Sequence, residues 1–90
     1  MGFTIVKIKV MPALPDIDLE LIKKHINSLL KKHQVEHSNF AEENIAFGLK
    51  AIILTFEWPE EKELEPFEEA IRKSELISSA EVIDMRRALG

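Results

Sequence analysis

The sequence predicts an α+β fold, a four-stranded antiparallel sheet with two helices on one face. Three observations carry this. Alternating apolar and polar residues mark strands near both ends of the chain, and two apolar stripes recur at helical spacing. The elements also follow one another as strand–helix–strand twice over. Ninety residues, 46% hydrophobic and 31% charged, suit one folded domain spanning residues 1–90, with room for one sheet layer and one helix layer.

From Phe3 to Met11 the apolar positions are Val6, Ile8 and Val10, with Lys7 and Lys9 between them. This is a half-buried strand, ended by Pro12 and Pro15. Asp16 and Asp18 offer N-cap oxygens. Leu19, Ile22, Ile26, Leu29 and Leu30 then recur at three- and four-residue steps, giving an amphipathic helix to about Lys32. Lys31 and Lys32 lie in its last turn, where cations suit the helix dipole.

Val35 to Ala41 reads as a weaker strand whose polar residues suggest a sheet edge. Glu42-Glu43-Asn44 reads as a hairpin connection, and Phe47 to Trp58 as the strongest strand of the chain. Its run Ala51-Ile52-Ile53-Leu54 predicts a central position. Pro59 stops it, and Glu60-Glu61-Lys62-Glu63 forms a charged loop. Pro66 suits a first helical turn, and Leu64, Phe67, Ala70 and Ile71 supply the stripe of a helix to about Ser74. Ile77 to Arg87 is the last strand. The order β-α-β-β-α-β is the ferredoxin-like split βαβ arrangement.

Composition excludes several kinds of chemistry. The chain has no cysteine, so disulfides, thiolate metal sites and cysteine nucleophiles are absent. A cytoplasmic protein fits this best. No apolar run approaches the roughly 20 residues of a membrane span, and the N-terminus leads straight into a strand pattern without a signal peptide. A net charge of −4 argues against the phosphate backbone of nucleic acid as the main partner and leaves a basic protein partner open. Ser, Thr and carboxylate spacings match no catalytic triad, carboxylate pair or metal loop. The three glycines, Gly2, Gly48 and Gly90, build no phosphate-binding loop. His25, His33 and His37 span the first helix and the turn after it; His25 and His33 are eight apart, too far for the usual i, i+4 metal pair, and the three read as surface histidines.

Two stretches remain as candidate binding sites. In Phe47-Gly48 an aromatic stands beside a glycine at a strand end. It can be a core phenylalanine beside a tight turn, or an aromatic wedge that enters a partner's pocket. Arg86-Arg87, close to the C-terminus, can be a solvated strand end or a cationic finger for phosphates or carboxylates. Strand alternation sends the two arginines to opposite faces. The glutamates Glu60, Glu61, Glu63, Glu65, Glu68 and Glu69 read as a solvated acidic face that could also help dock a basic partner.

Both stretches occur in a context that resembles the guanine nucleotide exchange domain of the elongation factor 1-beta family, in its small archaeal form. The resemblance rests on the βαββαβ order, on Val10-Met11-Pro12 followed by Pro15-Asp16-Ile17-Asp18-Leu19, on Ile45-Ala46-Phe47-Gly48-Leu49-Lys50-Ala51, and on Asp84-Met85-Arg86-Arg87. It implies a guanine nucleotide exchange factor that promotes GDP release from elongation factor 1-alpha, the GTPase that delivers aminoacyl-tRNA. Such a protein is no enzyme in the chemical sense, needs no cofactor or metal of its own, and works in the cytoplasm without membrane or direct nucleic-acid contact.

In related eukaryotic domains a basic residue near the C-terminus reaches toward the GTPase's magnesium and phosphate region, and a phenylalanine in a Gly-Phe-Gly-type segment contacts the partner elsewhere. Carried onto this chain, Phe47 with Gly48 matches that segment, and Arg87, beside Arg86, best matches the basic residue. Ala46 stands where the eukaryotic pattern has glycine. The basic residue is Arg rather than Lys, and Ala88-Leu89-Gly90 follows it.

Two other functions share this topology. An RNA-binding module needs stacking aromatics and basic residues on the two central strands. Here the first strand shows Ile5, Lys7 and Lys9 on its outer face, and Phe47–Trp58 lacks the basic-glycine-aromatic pattern. A small-molecule regulatory module that dimerises through sheet edges stays open as a third reading, although the sequence shows no ligand-binding glycine turn.

Overall fold

Alternation along the first strand sends Val6, Ile8 and Val10 to one side, where all three are fully buried. The computed structural model, which describes residues 2–88, runs β1 (Phe3–Pro12), α1 (Leu19–Lys32), β2 (Ser38–Ala46), β3 (Leu49–Pro59), α2 (Glu65–Arg72) and β4 (Ile77–Arg87). The sheet is antiparallel throughout, in the order β2-β3-β1-β4. This is the ferredoxin-like arrangement that the sequence predicts, with β3 central. Leu89 and Gly90, the end of the C-terminal stretch singled out above, lie outside the described residues.

Register assigns the two faces. Val6 opposes Phe56, Ile8 opposes Leu54 and Val10 opposes Ile52, and these six face the helices. Ile22, Ile26 and Leu30 from α1, Phe67 and Ile71 from α2, and Ile77 and Ala80 from β4 complete the core. Phe56, Trp58 and Phe67 meet with ring centroids 5.1–5.9 Å apart, in the tilted and edge contacts that aromatic quadrupoles favour. On the other face Ile5 opposes Glu57, Lys7 opposes Thr55 and Lys9 opposes Ile53. Neither helix covers that face.

Helix α1 begins as predicted. Asp18 Oδ1 accepts from Glu20 N–H at 3.0 Å, and that side chain satisfies one of the first turn's free donors. The helix also ends at Lys32 as predicted, but the segment after it differs from expectation. Val35 does not start a strand but closes a Schellman motif: Val35 N–H donates to Leu30 O, and Gln34 N–H to Lys31 O. Gln34 takes the left-handed position with φ 61°.

The hairpin is a second correction. Glu42-Glu43-Asn44 is no connection but part of β2, paired with Ile52, Ala51 and Lys50. β2 is an edge strand, so polar side chains sit there without cost. The turn is Phe47-Gly48, closed by the Ala46–Leu49 pair. Phe47 therefore lies in the loop and not in β3.

Candidate functional site

The site begins with backbone geometry at the β2–β3 tip. Phe47 has φ 53° and Gly48 φ 79°. Two central residues at positive φ are the signature of a type I′ hairpin, whose twist matches the flanking strands. Glycine adopts this freely, and a Cβ at Gly48 would meet nothing within 4 Å, so the constraint there is conformational and not steric. Phenylalanine at positive φ is costly, about 1–2 kcal/mol. Its side chain is also fully exposed, at 102% relative accessibility. The core reading of Phe47 is thus excluded. The register shift between Asn44 and Ala46 bulges the strand at Ile45, itself 38% exposed, so the tip presents two apolar side chains.

Ion pairs brace the strands behind the tip. Glu42 binds Lys23 of α1 at 3.0 Å and lies 3.9 Å from Lys50, while Glu43 binds Lys9 at 3.2 Å. The Lys23 ammonium, helped by Lys50, holds the Glu42 carboxyl below its ordinary range.

The arginines stand at the other end. β4 runs antiparallel to β1, so Arg87 opposes Thr4 and Arg86 opposes Ile5, far from the β2–β3 tip, which lies at the end of the sheet where Val10 pairs with Ile52. From Leu49 to Pro59 the strand covers roughly 33 Å at about 3.3 Å per residue, within a longest dimension of 42 Å. The structure therefore does not bring Phe47 and the arginines together. The expected divergence of Arg86 and Arg87 is observed. Arg86 lies on the open face and binds Asp84 through Nε at 3.1 Å. Arg87 lies toward the helix layer and grips Glu60 with two bonds, Nε–Oε1 at 3.2 Å and Nη2–Oε2 at 2.9 Å. The bonded guanidinium lowers the Glu60 carboxyl below its ordinary value. Glu60 is thus no simple member of a solvated acidic face. No spacing rule links positions 60 and 87; the sheet brings them together.

The histidines do not converge, and among the described residues no group of three His, Asp or Glu side chains could hold a metal ion. His33 corrects the reading as a surface residue. It is half-buried, with its ring 5.7 Å from Trp58 and 5.3 Å from Phe67. Burial, with Lys62 and Lys32 nearby, lowers its pKa.

The open face offers little to nucleic acid. Of the rings in β1 and β3, Phe56 and Trp58 are buried against the helices, which leaves Phe3 at the sheet's end. Lys9 is already paired with Glu43, and Lys7 faces Asp84 across the strands. That is not the stacking platform of an RNA-binding sheet. No helix among the described residues is long and apolar enough to cross a membrane.

An antiparallel sheet that carries an exposed aromatic at one end and a braced guanidinium at the other is a binding module. Such an arrangement suits docking onto a partner protein. The sequence matches the EF-1 guanine nucleotide exchange domain over residues 5–88. Elongation factor 1-beta of Methanosarcina barkeri is 40% identical over 88 residues, 97% of this chain and 99% of the relative. That of Methanothermobacter thermautotrophicus is 39% identical over 90 residues, 99% and 100%. That of Methanococcus maripaludis (strain C6) is 36% identical over 87 residues, 94% and 97%. The chain belongs to the EF-1 guanine nucleotide exchange domain family.

Proposed function

We propose that this protein is a cytoplasmic exchange factor for elongation factor 1-alpha, that residues 1–90 form one exchange domain, and that it holds the GTPase at two separated points. Phe47, set by the Phe47-Gly48 turn, is the apolar anchor. Arg87 is the cationic contact toward the magnesium and phosphate region of the GTPase, with Arg86 beside it on the open face. Phe47 is the observation that carries this reading. A fully exposed phenylalanine at positive φ is unfavourable for the isolated chain on two counts, and strained positions of this kind cluster where a partner uses them.

The mechanism is a linkage. GDP is held in the GTPase largely by magnesium and phosphate electrostatics. A factor that binds the nucleotide-free GTPase more tightly than the GDP form weakens GDP by the same ratio. A thousandfold weakening needs a preference of about 4 kcal/mol. A buried aromatic anchor and a desolvated guanidinium pair are each large enough to supply a substantial part of that. Measuring GDP release with Phe47→Ala and Arg87→Ala tests the assignment. Both variants should fold and both should slow exchange. Wild-type rates in both would overturn it.

A further inference from the structure

The Glu60–Arg87 contact is unlike the other surface ion pairs. The others make a single contact between side chains of helices and strands, whereas this one ties the end of β4 to the loop after β3 by both carboxylate oxygens. Backbone bonds fix the main chain on both sides of the pair. Glu60 N–H donates to Gly2 O at 3.0 Å, and Ala88 N–H donates to Phe3 O at 2.9 Å. A Cβ at Gly2 would run into Glu60 Oε1, so the carboxylate packs directly against the backbone of residue 2, and a side chain there would push the flexible end of Glu60 aside.

The geometry of the fork matters. A guanidinium carries five N–H groups. Glu60 uses one on Nε and one on Nη2, and three on Nη1 and Nη2 remain. The Arg87 side chain is still 74% exposed, so that second edge is open to another oxyanion. Arg86 has a single bond to a carboxylate two residues away on its own strand.

We infer that Glu60, seated against Gly2, is a positioning residue that holds Arg87 with its free N–H edge turned outward for an oxyanion of the GTPase. The inference rests on the reading of Arg87 as a partner contact given above. An exposed pair of this kind adds little to stability. What it supplies is order: a long arginine side chain held in advance loses less freedom on binding.

The test is GDP release from the cognate elongation factor 1-alpha with wild type, E60Q, E60D, G2A, R87A and E60Q/R87A, alongside thermal melting of each. E60Q keeps the size of the side chain but turns an N–H against the guanidinium. It should lower exchange efficiency about 3- to 10-fold, and in the R87A background it should change the rate by less than about 1.5-fold, since coupled positions are not additive. E60D, which keeps a carboxylate, should recover most of the loss. G2A displaces the carboxylate without altering charge and should resemble E60Q. If R87A slows exchange and E60Q does not, or E60Q costs as much without Arg87, the positioning role is wrong. Faster exchange with E60Q would make Glu60 a restraint and also overturn it. Wild-type exchange with R87A would instead remove the reading of Arg87 itself.

Discussion

Phe47 stands at positive φ in the β2–β3 turn with its ring fully in solvent. On its residues alone, a phenylalanine before a glycine at a strand end reads more readily as core than as wedge, because φ is not written in the sequence. Only the positive φ and full exposure separate them. The same facts predict a conflict between stability and function. Phe47→Asn gives the turn the Asn-Gly pair that type I′ hairpins favour. It should stabilise the protein by about 0.5–1 kcal/mol in chemical denaturation and slow GDP release. His33 makes a second prediction at this scale. Its folded pKa lies below the unfolded value near 6.5, so below pH 6.5 the unfolded state binds more protons. Stability is therefore complete above that pH and falls as pH drops through the window beneath it. Melting curves from pH 7.5 to 5 should show this fall, and His33→Phe, which keeps an aromatic ring in place, should flatten it.

Among the elements, those with a strong period were legible. β1 and β4 show alternation and α1 shows a clear apolar stripe, because each has one buried face and one solvated face. β2 was the exception. Nearly all its side chains are exposed, so burial left no pattern, and Glu42-Glu43-Asn44 looked like a loop. The real turn contains one residue with turn chemistry, Gly48. Val35 looked like a strand start because it is apolar, yet its N–H closes the helix C-terminus and its side chain packs against the core. Helix α1 depends on Asp18 for its first turn. Asp18→Ala should cost about 1 kcal/mol, a drop of about 4–8 °C in melting temperature for a domain of this size. Glu20 and Leu21 should lose amide protection first. Phe67→Ala, at the meeting point of Phe56, Trp58 and His33, should cost about 3–5 kcal/mol and leave little folded protein on heating.

On the scale of the whole molecule, the sheet acts as a spacer. β1 and β3 form a fully paired centre whose inner face is buried, and Phe47 and Arg87 project from its opposite ends. One small pocket on a partner cannot take both, so the proposed reading requires two contact points on the GTPase roughly 33 Å apart, the length of an eleven-residue strand at about 3.3 Å per residue. Sites so distant and without shared neighbours should act independently. The losses in log exchange rate from Phe47→Ala and Arg87→Ala should therefore add in the double variant to within about 0.5 kcal/mol. The most direct measurement is the release of fluorescent GDP from cognate elongation factor 1-alpha with this protein at substoichiometric amounts. The account predicts acceleration of at least about 100-fold, equivalent to roughly 2.7 kcal/mol of barrier, from repeated turnover of one exchange factor over many GTPase molecules. An unchanged rate with folded protein and active GTPase would contradict it.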